Sequence, residues 1–363
     1  MKILHVITSL NTGGAEKLLT DLLPRLKADG CDVELFVFNG IKTPFYKKLC
    51  NAGVKIHSYG SGSVYNPIHI YRLYKLLRQG NFDIIHTHNT SPQLFAAIDS
   101  LFCSVTLCTT EHSTSNRRRR WVWYRLVDRW MYGRYNKIIA CSEKTSQNLN
   151  NYICSLKDKI ITINNGIPIE KFINAPEITN FRSGLPRNSR IITMVAGFRW
   201  EKDQATLIRS LKVLPSNFFL FLVGDGVQRT ELEDICKSIG VEDRVKFLGI
   251  RSDVPNILHS SDYIAMSSHF EGLSLSSVEG MSVGKPMLAS DVHGLREVVG
   301  GAGVLFKHAE PNDFAKKILE LEYAPVLYET IAAKCLERAK LYDINKMVDG
   351  YKSVYMEVLD EDN

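Results

Sequence analysis

Short apolar runs alternate with helical stripes along the whole chain. The first half predicts strands near residues 3–7, 33–38, 54–58, 83–87, 105–109, 137–141 and 159–163, and the second half near 191–196, 218–224, 244–249, 263–266 and 286–289. Between them lie amphipathic helices, the clearest with apolar positions at Leu18, Leu19, Leu22, Leu23 and Leu26. Strand–helix alternation of this kind predicts an α/β protein whose parallel sheets carry helices on both faces.

The alternation is interrupted once, over residues 167–190, where periodicity is absent. This stretch contains Pro168, Pro176, Gly184 and Pro186, which is typical of a linker. We therefore expect one domain over residues 1–170 and a second over 187–342, with small-molecule binding between them. Residues 343–359 predict a final helix, which can pack either on the first domain or on the second.

Composition fits a two-domain protein. The chain has 363 residues, of which 45% are hydrophobic, enough for two full cores. No apolar run approaches the ~20 residues of a membrane span, and the first ten residues predict a strand rather than a signal peptide. Eight cysteines without a Cys-x-x-Cys pair argue against zinc and disulfides and favour a reducing cytoplasm. The net charge of +6 suits an anionic substrate or membrane and does not indicate nucleic acid.

The most informative segment is residues 268–290. Glu271 and Glu279 stand there with seven residues between them, and Ser274 is a good N-cap for a helix that carries Leu275 and Val278 at helical spacing. Free amides at that helix start can hold a phosphate. Glu279, one turn further on, is placed to accept hydrogen bonds from a ribose diol, while Glu271 faces the group attached to the phosphate. Taken singly, both glutamates could equally be solvated surface residues.

This pattern resembles the signature of the retaining, nucleotide-sugar-dependent glycosyltransferases of family four. In that family the first glutamate is followed by Gly-aromatic-Gly-Leu; here Leu273 replaces the aromatic residue and Ser274 the second glycine. The resemblance implies the GT-B fold: two Rossmann-like, doubly wound parallel-sheet domains that face each other across a cleft, with a last helix that returns to the N-terminal domain.

The resemblance also implies roles for individual residues. Glu279 would hold the donor ribose, Glu271 would contact the donor sugar, and backbone amides would hold the diphosphate. The implied donor-binding set in this region is Gly249, Arg251, Gly272, Leu273, Ser274, Leu275, Ser276 and Glu279.

Gly13 and Gly14 precede the first predicted helix, where the backbone can approach a ligand closely. They do not form the Gly-x-Gly-x-x-Gly fingerprint of a nicotinamide enzyme, and glycine could serve only to fit the turn. In the resembled family a Gly-Gly-Ala/Val-Glu turn stands here and faces the donor phosphates.

Arg199 and Lys202 follow the first strand of the second half, where two cations suit a diphosphate leaving group. The alternative is that both are solvated surface charges. Family members usually show Gly-Arg with a lysine about five residues later. Lys202 matches that lysine, but Gly197 occupies the arginine position, so Arg199 would act from a neighbouring place.

Histidines cluster after two strands of the first half, as His86, His88 and His112, the last beside Glu111. Three imidazoles and a carboxylate could form a metal site, or the histidines could simply hydrogen-bond the backbone. The resemblance selects His112 as an active-site histidine. It also implies no metal, since the chain's single Asp-x-Asp sequence lies at 360–362, in the tail.

A basic and aromatic run follows His112. Arg117, Arg118, Arg119, Arg120 and Trp121 suit an anionic lipid surface or a pyrophosphate-linked acceptor. The next stretch places Trp123, Leu126, Val127, Trp130 and Met131 on one helix face, which we expect to pack on the core. The run is short and no nucleic-acid fold accompanies it, so we expect no nucleic acid partner.

Together these features predict a retaining, metal-independent glycosyltransferase. It would move a hexose-type sugar from a nucleotide-diphospho-sugar, most simply UDP-linked, to a lipid-linked or oligosaccharide acceptor during envelope or capsular polysaccharide synthesis. We expect it in the cytoplasm, held peripherally on the inner membrane. Two alternatives remain at this stage: a nucleotide-sugar 2-epimerase of the same fold class, and a non-catalytic scaffold that binds nucleotide-sugars.

Overall fold

The computed structural model describes residues 1–11, 13–113, 119 and 121–361. The chain forms two compact units. The first comprises Met1–Gly166 together with Ile344–Asn363, and the second comprises Ile167–Asp343. Within the described residues, no helix is both long and apolar enough to cross a lipid bilayer.

The first unit is a seven-stranded parallel sheet with the strand order β3-β2-β1-β4-β5-β6-β7. Its strands are β1 Lys2–Ser9, β2 Asp32–Asn39, β3 Lys55–Ser58, β4 Ile84–His88, β5 Thr106–Glu111, β6 Lys137–Ala140 and β7 Ile160–Thr162. Its helices are α1 Gly14–Ala28, α2 Pro44–Asn51, α3 Ile68–Gly80, α4 Thr90–Asp99, α5 Val122–Gly133 and α6 Glu143–Tyr152, with α15 Ile344–Glu361 added from the C-terminus.

The second unit is a six-stranded parallel sheet with the order β10-β9-β8-β11-β12-β13. Its strands are β8 Arg190–Val195, β9 Phe218–Val223, β10 Val245–Gly249, β11 Tyr263–Met266, β12 Met287–Ser290 and β13 Val304–Phe306. Its helices are α7 Glu170–Ile173, α8 Gln204–Ser210, α9 Arg229–Ile239, α10 Val254–His259, α11 Leu275–Met281, α12 Leu295–Val299, α13 Pro311–Glu322 and α14 Pro325–Ala339.

The central strands are buried on both faces, as parallel strands covered by helices must be. In β1, Ile3 and Ile7 join the apolar cluster that includes α1 and α15. The alternate residues Leu4 and Val6 join the cluster on the opposite face of the sheet. This is why β1 appears in the sequence as a nearly continuous apolar run and not as an alternating one.

The predicted two-sheet α/β architecture is confirmed, and each predicted strand is found within about two residues of its expected position. One strand was missed. Val304–Phe306 is only three residues long, which is too short for a period of two to stand out from its surroundings.

The stretch expected to be a linker belongs to the second unit. Ile167 and Phe172 lie in that unit's core, and Arg182 donates to Asp262 at 2.9 Å. Pro176, Gly184 and Pro186 are exposed, yet these contacts attach the segment to the second unit, so loss of periodicity did not mark a free connection between domains.

The final helix, α15, packs within the first unit through a buried face that includes Tyr351, Val354 and Tyr355. Tyr355 Oη lies 2.6 Å from His86 Nδ1, and Tyr351 Oη lies 2.9 Å from Thr110 Oγ1. Burial raises the pKa of both phenols, so both hydroxyls remain protonated. The C-terminal helix is thus tied to β4 and β5 by hydrogen bonds as well as by apolar contact.

We expect Tyr355→Phe to destabilise the first unit by about 1–3 kcal/mol, because it leaves the buried His86 Nδ1 without its partner. Tyr323→Phe is the matched control, since Tyr323 is exposed in the second unit. Amide hydrogen exchange of the two units would measure the effect. Equal protection of β4 in both variants would contradict the importance of this bond.

Candidate active site

In the second sheet, strand order reverses between β8 and β11, which are adjacent although β9 and β10 separate them in the chain. Loops on the two sides of such a reversal diverge and leave a crevice at the carboxyl ends of the strands. The loop after β8 carries Lys202, and the loop after β11 carries Glu271. Lys202 Nζ donates to Glu271 Oε1, which also accepts from Ser268 Oγ at 3.0 Å.

The loop that carries Glu271 is held from both sides. Ser290 Oγ, at the end of β12, accepts from the Ser268 amide and donates to the Ser268 carbonyl, both at 2.8 Å. On the other side the His269 amide donates to the Glu201 carbonyl at 2.9 Å. Glu271 therefore extends from a fixed backbone, although it lies outside any helix or strand.

Gly294 is a site residue that sequence reasoning missed. Its φ is +81°, and a Cβ there would lie 2.1 Å from the Gly272 carbonyl oxygen and 2.6 Å from that of Glu271. No other residue would allow the loop after β12 to pack directly against the Glu271–Gly272 backbone. The sequence feature that could have indicated this position is the pair His293-Gly294, which lies between the strand β12 and the helix α12.

The helix predicted to follow Glu271 is present. Ser274 occupies the N-cap position of α11, and Glu279 is buried within that helix. The Ser274 hydroxyl accepts from Ser277 Oγ at 2.8 Å. Gly272, Leu273, Ser274, Leu275 and Ser276 accordingly form one loop and helix start beside Glu271, and the first amides of such a helix have no partner within it.

Arg199 lies over Gly197, the position where family members usually carry arginine. Its Nε and Nη2 atoms are 3.4 and 3.6 Å from where a Cβ of residue 197 would stand. The side chain is exposed and forms no ion pair with the described residues. The guanidinium thus lies against the position where an arginine side chain at 197 would begin, and its role as a substitute for that arginine stays a prediction.

Gly249 and Arg251 lie at the carboxyl edge of the second sheet, at the end of β10. They are not at the strand-order reversal, because β9 lies between β10 and β8. Gly249 has a φ of +67° and accepts from the Gly224 amide at 2.8 Å. Arg251 is exposed and paired to Asp253 through two hydrogen bonds of 2.8 and 2.6 Å. A donor-binding role for Arg251 stays a prediction, and it would require the guanidinium to share or leave this partner.

In the first unit, strand order reverses between β1 and β4. Gly13 is the N-cap of α1, and the Glu16 carboxylate folds against it. A Cβ on Gly14 would meet no atom within 4 Å. Packing against the described residues therefore does not require glycine at position 14, and a donor-binding role for Gly13 and Gly14 stays a prediction.

Four histidines meet beneath this reversal. His5 Nδ1 is 3.0 Å from His88 Nε2, and His88 Nδ1 is 2.9 Å from His112 Nε2. His86 stacks on His88 with centroids 4.6 Å apart and planes within 3°. The sequence showed His86, His88 and His112 but not His5, because a histidine inside an otherwise apolar first strand gives no separate signal.

The close spacing of His5, His86 and His88 satisfies a distance criterion for metal ligands, since one nitrogen of each lies within 4.8 Å of the others. Their planes are within 13° of one another. Imidazole lone pairs lie in the ring plane, so nearly parallel rings cannot direct three of them at one ion. A second group, Asp203, His269 and His308, also meets the distance criterion. Metal independence itself stays a prediction.

Arg119 does not belong to the outward-facing basic surface predicted for it. Its Nη2 lies 3.0 Å from Glu111 Oε2, which also accepts from Tyr132 Oη at 2.7 Å, and its guanidinium covers the Tyr152 ring. The side chain is only 11% exposed. Glu111 explains the difference, because a buried carboxylate at the end of β5 requires a cationic partner. Arg117, Arg118 and Arg120 lie outside the described residues.

The prediction for the apolar face of α5 was also wrong. Of its five residues only Met131 is buried; Trp123 is 80% exposed and Leu126 69%, and Val127 and Trp130 are exposed too. Asp128 and Tyr132 instead complete the buried face, which is rotated by about a third of a turn from the predicted one. Tyr132 sets this orientation through its hydrogen bond to Glu111. Trp121 is exposed as predicted.

Comparison with known proteins agrees with the architecture. Residues 12–171 match the model of Glycosyltransferase Family 4, and residues 177–339 match that of Glycosyl transferases group 1. The chain superposes on the crystal structure of HepE from Anabaena in complex with UDP with a TM-score of 0.85 and 22% identity, covering 98% of this chain and 100% of that one.

Two curated relatives extend over most of the chain. A UDP-Gal:α-D-GlcNAc-diphosphoundecaprenol α-1,3-galactosyltransferase of Escherichia coli is 28% identical over 79% of this chain and 78% of its own length. An uncharacterised glycosyltransferase of Methanocaldococcus jannaschii is 27% identical over 96% of this chain and 95% of its own. With the two-unit GT-B architecture and the paired glutamates, these matches show that the chain belongs to the group 1/family 4 glycosyltransferases.

Proposed function

We propose that this glycosyltransferase is a retaining hexosyltransferase that uses a UDP-sugar and extends a lipid-linked glycan without a metal ion. The observation that carries the proposal is the contact between Lys202 and Glu271 at the strand-order reversal of the second sheet. A cation that suits a diphosphate and a carboxylate that suits a sugar hydroxyl lie there within one hydrogen bond of each other, which supports the proposal.

The donor half of the reaction uses residues of the second unit. Amides at the start of α11 and the Lys202 ammonium bind the diphosphate, and Arg199 adds a second cation from its position over Gly197. Glu279, buried one turn into α11, accepts hydrogen bonds from the ribose hydroxyls. Glu271 then contacts the sugar while it stays close to Lys202, which limits repulsion between its carboxylate and the phosphates.

In the reaction, an acceptor hydroxyl forms a bond to the anomeric carbon on the face from which UDP departs, so the configuration is retained. The bond between that carbon and the phosphate oxygen breaks, and the departing phosphate takes the hydroxyl proton. Lys202, Arg199 and the α11 amides stabilise the negative charge that grows on the leaving group. These groups supply the stabilisation that other transferases obtain from a divalent ion.

The acceptor and the membrane are assigned to the first unit. The E. coli relative is named for a diphosphoundecaprenol-linked acceptor, and a membrane-bound acceptor requires the enzyme to reach a bilayer surface. Helix α5 offers Trp121, Trp123, Leu126 and Trp130 as exposed apolar side chains, with Arg125 and Arg129 exposed among them. Aromatic residues interleaved with arginine suit the headgroup region of an anionic leaflet. We therefore infer a cytoplasmic enzyme held peripherally on the inner membrane.

Incubation with a panel of nucleotide-sugars and a lipid extract, followed by mass spectrometry, tests the activity. We expect one sugar to be added to a lipid-linked glycan with release of UDP. A free monosaccharide as the product would favour the 2-epimerase, and donor binding without turnover would favour the non-catalytic scaffold.

The two glutamates should separate binding from turnover. Glu279→Gln should weaken UDP binding by about 1.5–3 kcal/mol, the value of a hydrogen bond to a charged group. Glu271→Gln should leave UDP affinity unchanged or higher, because Lys202 loses its anionic partner, yet it should suppress turnover. Calorimetry with UDP and a transfer assay measure both effects, and equal losses of affinity would refute this division of roles.

Metal independence has its own test. We expect a chelator to leave the transfer rate unchanged, because Lys202, Arg199 and the α11 amides stabilise the leaving group. Activity that disappears with chelator and returns with magnesium or manganese would contradict the proposed mechanism.

Membrane attachment should depend on α5. We expect Trp123→Ser with Leu126→Ser to reduce sedimentation with anionic liposomes several-fold, since these side chains are among the most exposed apolar groups of the first unit. Tyr323→Ser with Val326→Ser is the matched control, because both residues are similarly exposed in the second unit.

A second variant tests the charge. Arg117, Arg118 and Arg120 are changed to serine while Arg119 is kept, because Arg119 pairs with Glu111. UDP affinity should remain unchanged in every variant. Liposome binding that is indifferent to all these changes and to salt would favour a soluble acceptor.

A further inference from the structure

His5, His88 and His112 form a continuous row of imidazoles, which we call the histidine array. The array contains two nitrogen–nitrogen contacts, 3.0 Å between His5 and His88 and 2.9 Å between His88 and His112. The ring centroids of His5 and His88 are 5.3 Å apart, a separation that a 3.0 Å nitrogen contact reaches only when the two rings point at each other, and their planes differ by 10°. That hydrogen bond therefore lies nearly in the plane of both rings. His112 is partly exposed at the end of β5, whereas His5 is completely buried within β1.

All three rings are neutral near pH 7. Burial lowers the pKa of His5 to about 3 and that of His112 to about 4, and it lowers the pKa of His88 well below its usual range. Each ring then carries one N–H and one lone pair. His88, in the middle, must therefore donate in one contact and accept in the other.

Only two arrangements of protons satisfy both hydrogen bonds. In one, every ring donates toward His5, and the spare N–H lies on His5 Nε2. In the other, every ring donates toward His112, and the spare N–H lies on His112 Nδ1. Neither terminal nitrogen has a hydrogen-bond partner among the described residues.

Location decides between the two arrangements. An unpaired N–H is costly inside a protein and is rarer than an unpaired acceptor. Both terminal nitrogens are themselves buried among the described residues. His5 Nε2 belongs to a completely buried ring inside the sheet, whereas His112 Nδ1 belongs to a ring that is partly exposed at the carboxyl edge, so only at the His112 end can a ligand that binds at this edge supply a partner. The N–H therefore belongs at the His112 end, where an oxygen of a bound ligand can accept from it.

His86 keeps the middle ring in place. It stacks on His88, and its own two nitrogens contact Tyr355 Oη at 2.6 Å and Thr110 Oγ1 at 2.8 Å. Because both His86 nitrogens have partners outside the array, His86 does not compete for the protons of His88. The array is therefore a separate path of hydrogen bonds that begins at His5 and ends at His112.

We propose that His5 and His88 are positioning residues that hold His112 in the tautomer with its proton on Nδ1, as a hydrogen-bond donor for a hydroxyl oxygen of the sugar or the acceptor. The proposal rests on the proposed function for its substrate. The tautomer itself is a property of the free enzyme. His5 influences His112 only through His88, since two hydrogen bonds separate them.

The test uses isosteric variants of His5. The side-chain nitrogen of asparagine can occupy the place of His Nδ1, whereas that of glutamine occupies the place of Nε2. His5→Asn can therefore still donate to His88, and His5→Gln cannot. His69→Gln is the matched control, because His69 is equally buried in the first unit and stacks on Phe38, outside the array.

Nitrogen-15 NMR of histidine-labelled protein reports the tautomer, and steady-state kinetics report its effect. In the unaltered enzyme and in His5→Asn, we expect His112 to carry its proton on Nδ1. In His5→Gln we expect mixed His112 tautomers and a roughly tenfold lower kcat, the equivalent of about one hydrogen bond, with KM for the donor unchanged. His69→Gln should change neither.

Two results would overturn the proposal: a proton on His112 Nε2 in the unaltered enzyme, or His5→Asn and His5→Gln variants that agree in tautomer and in kcat. Failure of the enzyme to transfer any sugar would instead reject the proposed function, because the tautomer is measured without substrate. Thermal unfolding and UDP affinity confirm that each variant is folded.

Discussion

The parallel orientation of every strand is the constraint on which both candidate sites depend. Parallel strands bring all their carboxyl ends to one edge of the sheet, and a reversal of strand order leaves a crevice at that edge. Lys202 and Glu271 are 69 residues apart in the chain, and they meet because β8 and β11 are neighbours at the reversal. In the first unit β1 and β4 meet in the same way, which brings His5 to His88.

The elements were predictable because their signals are local. Buried parallel strands leave apolar runs, and α1 leaves a regular leucine stripe. The paired glutamates and the N-cap at Ser274 likewise depend on spacing within one segment. Features that depend on contacts between distant segments were not predictable. Gly294 matters only because its loop packs on the Glu271–Gly272 backbone.

Helix α5 shows how one polar contact can overrule an apolar pattern. Four of the five residues that share a face are exposed, because Tyr132 donates to Glu111 and turns a different face toward the sheet. Burying Glu111 without Tyr132 and Arg119 would leave an uncompensated carboxylate, which is strongly destabilising. Hydrophobic periodicity identified the helix correctly but could not give its orientation.

The first unit departs from ordinary packing rules in two opposite ways, and both departures occur in the part of that unit assigned to the acceptor. Imidazoles are buried where apolar side chains would pack more simply, and tryptophans are exposed where polar residues would be more soluble. Each arrangement is costly for an isolated chain. Under the proposed function the cost of the tryptophans is recovered on a lipid surface, and that of the unpaired His112 Nδ1 is recovered when a hydroxyl oxygen accepts from it. In the second unit Lys202 and Glu271 are already paired with each other, although Trp200 and Phe270 beside them are exposed at 61% and 57%. A charge pair that exists before the donor arrives is what we expect of a preformed donor site, whereas under the proposed function the acceptor half is completed by its membrane-bound substrate.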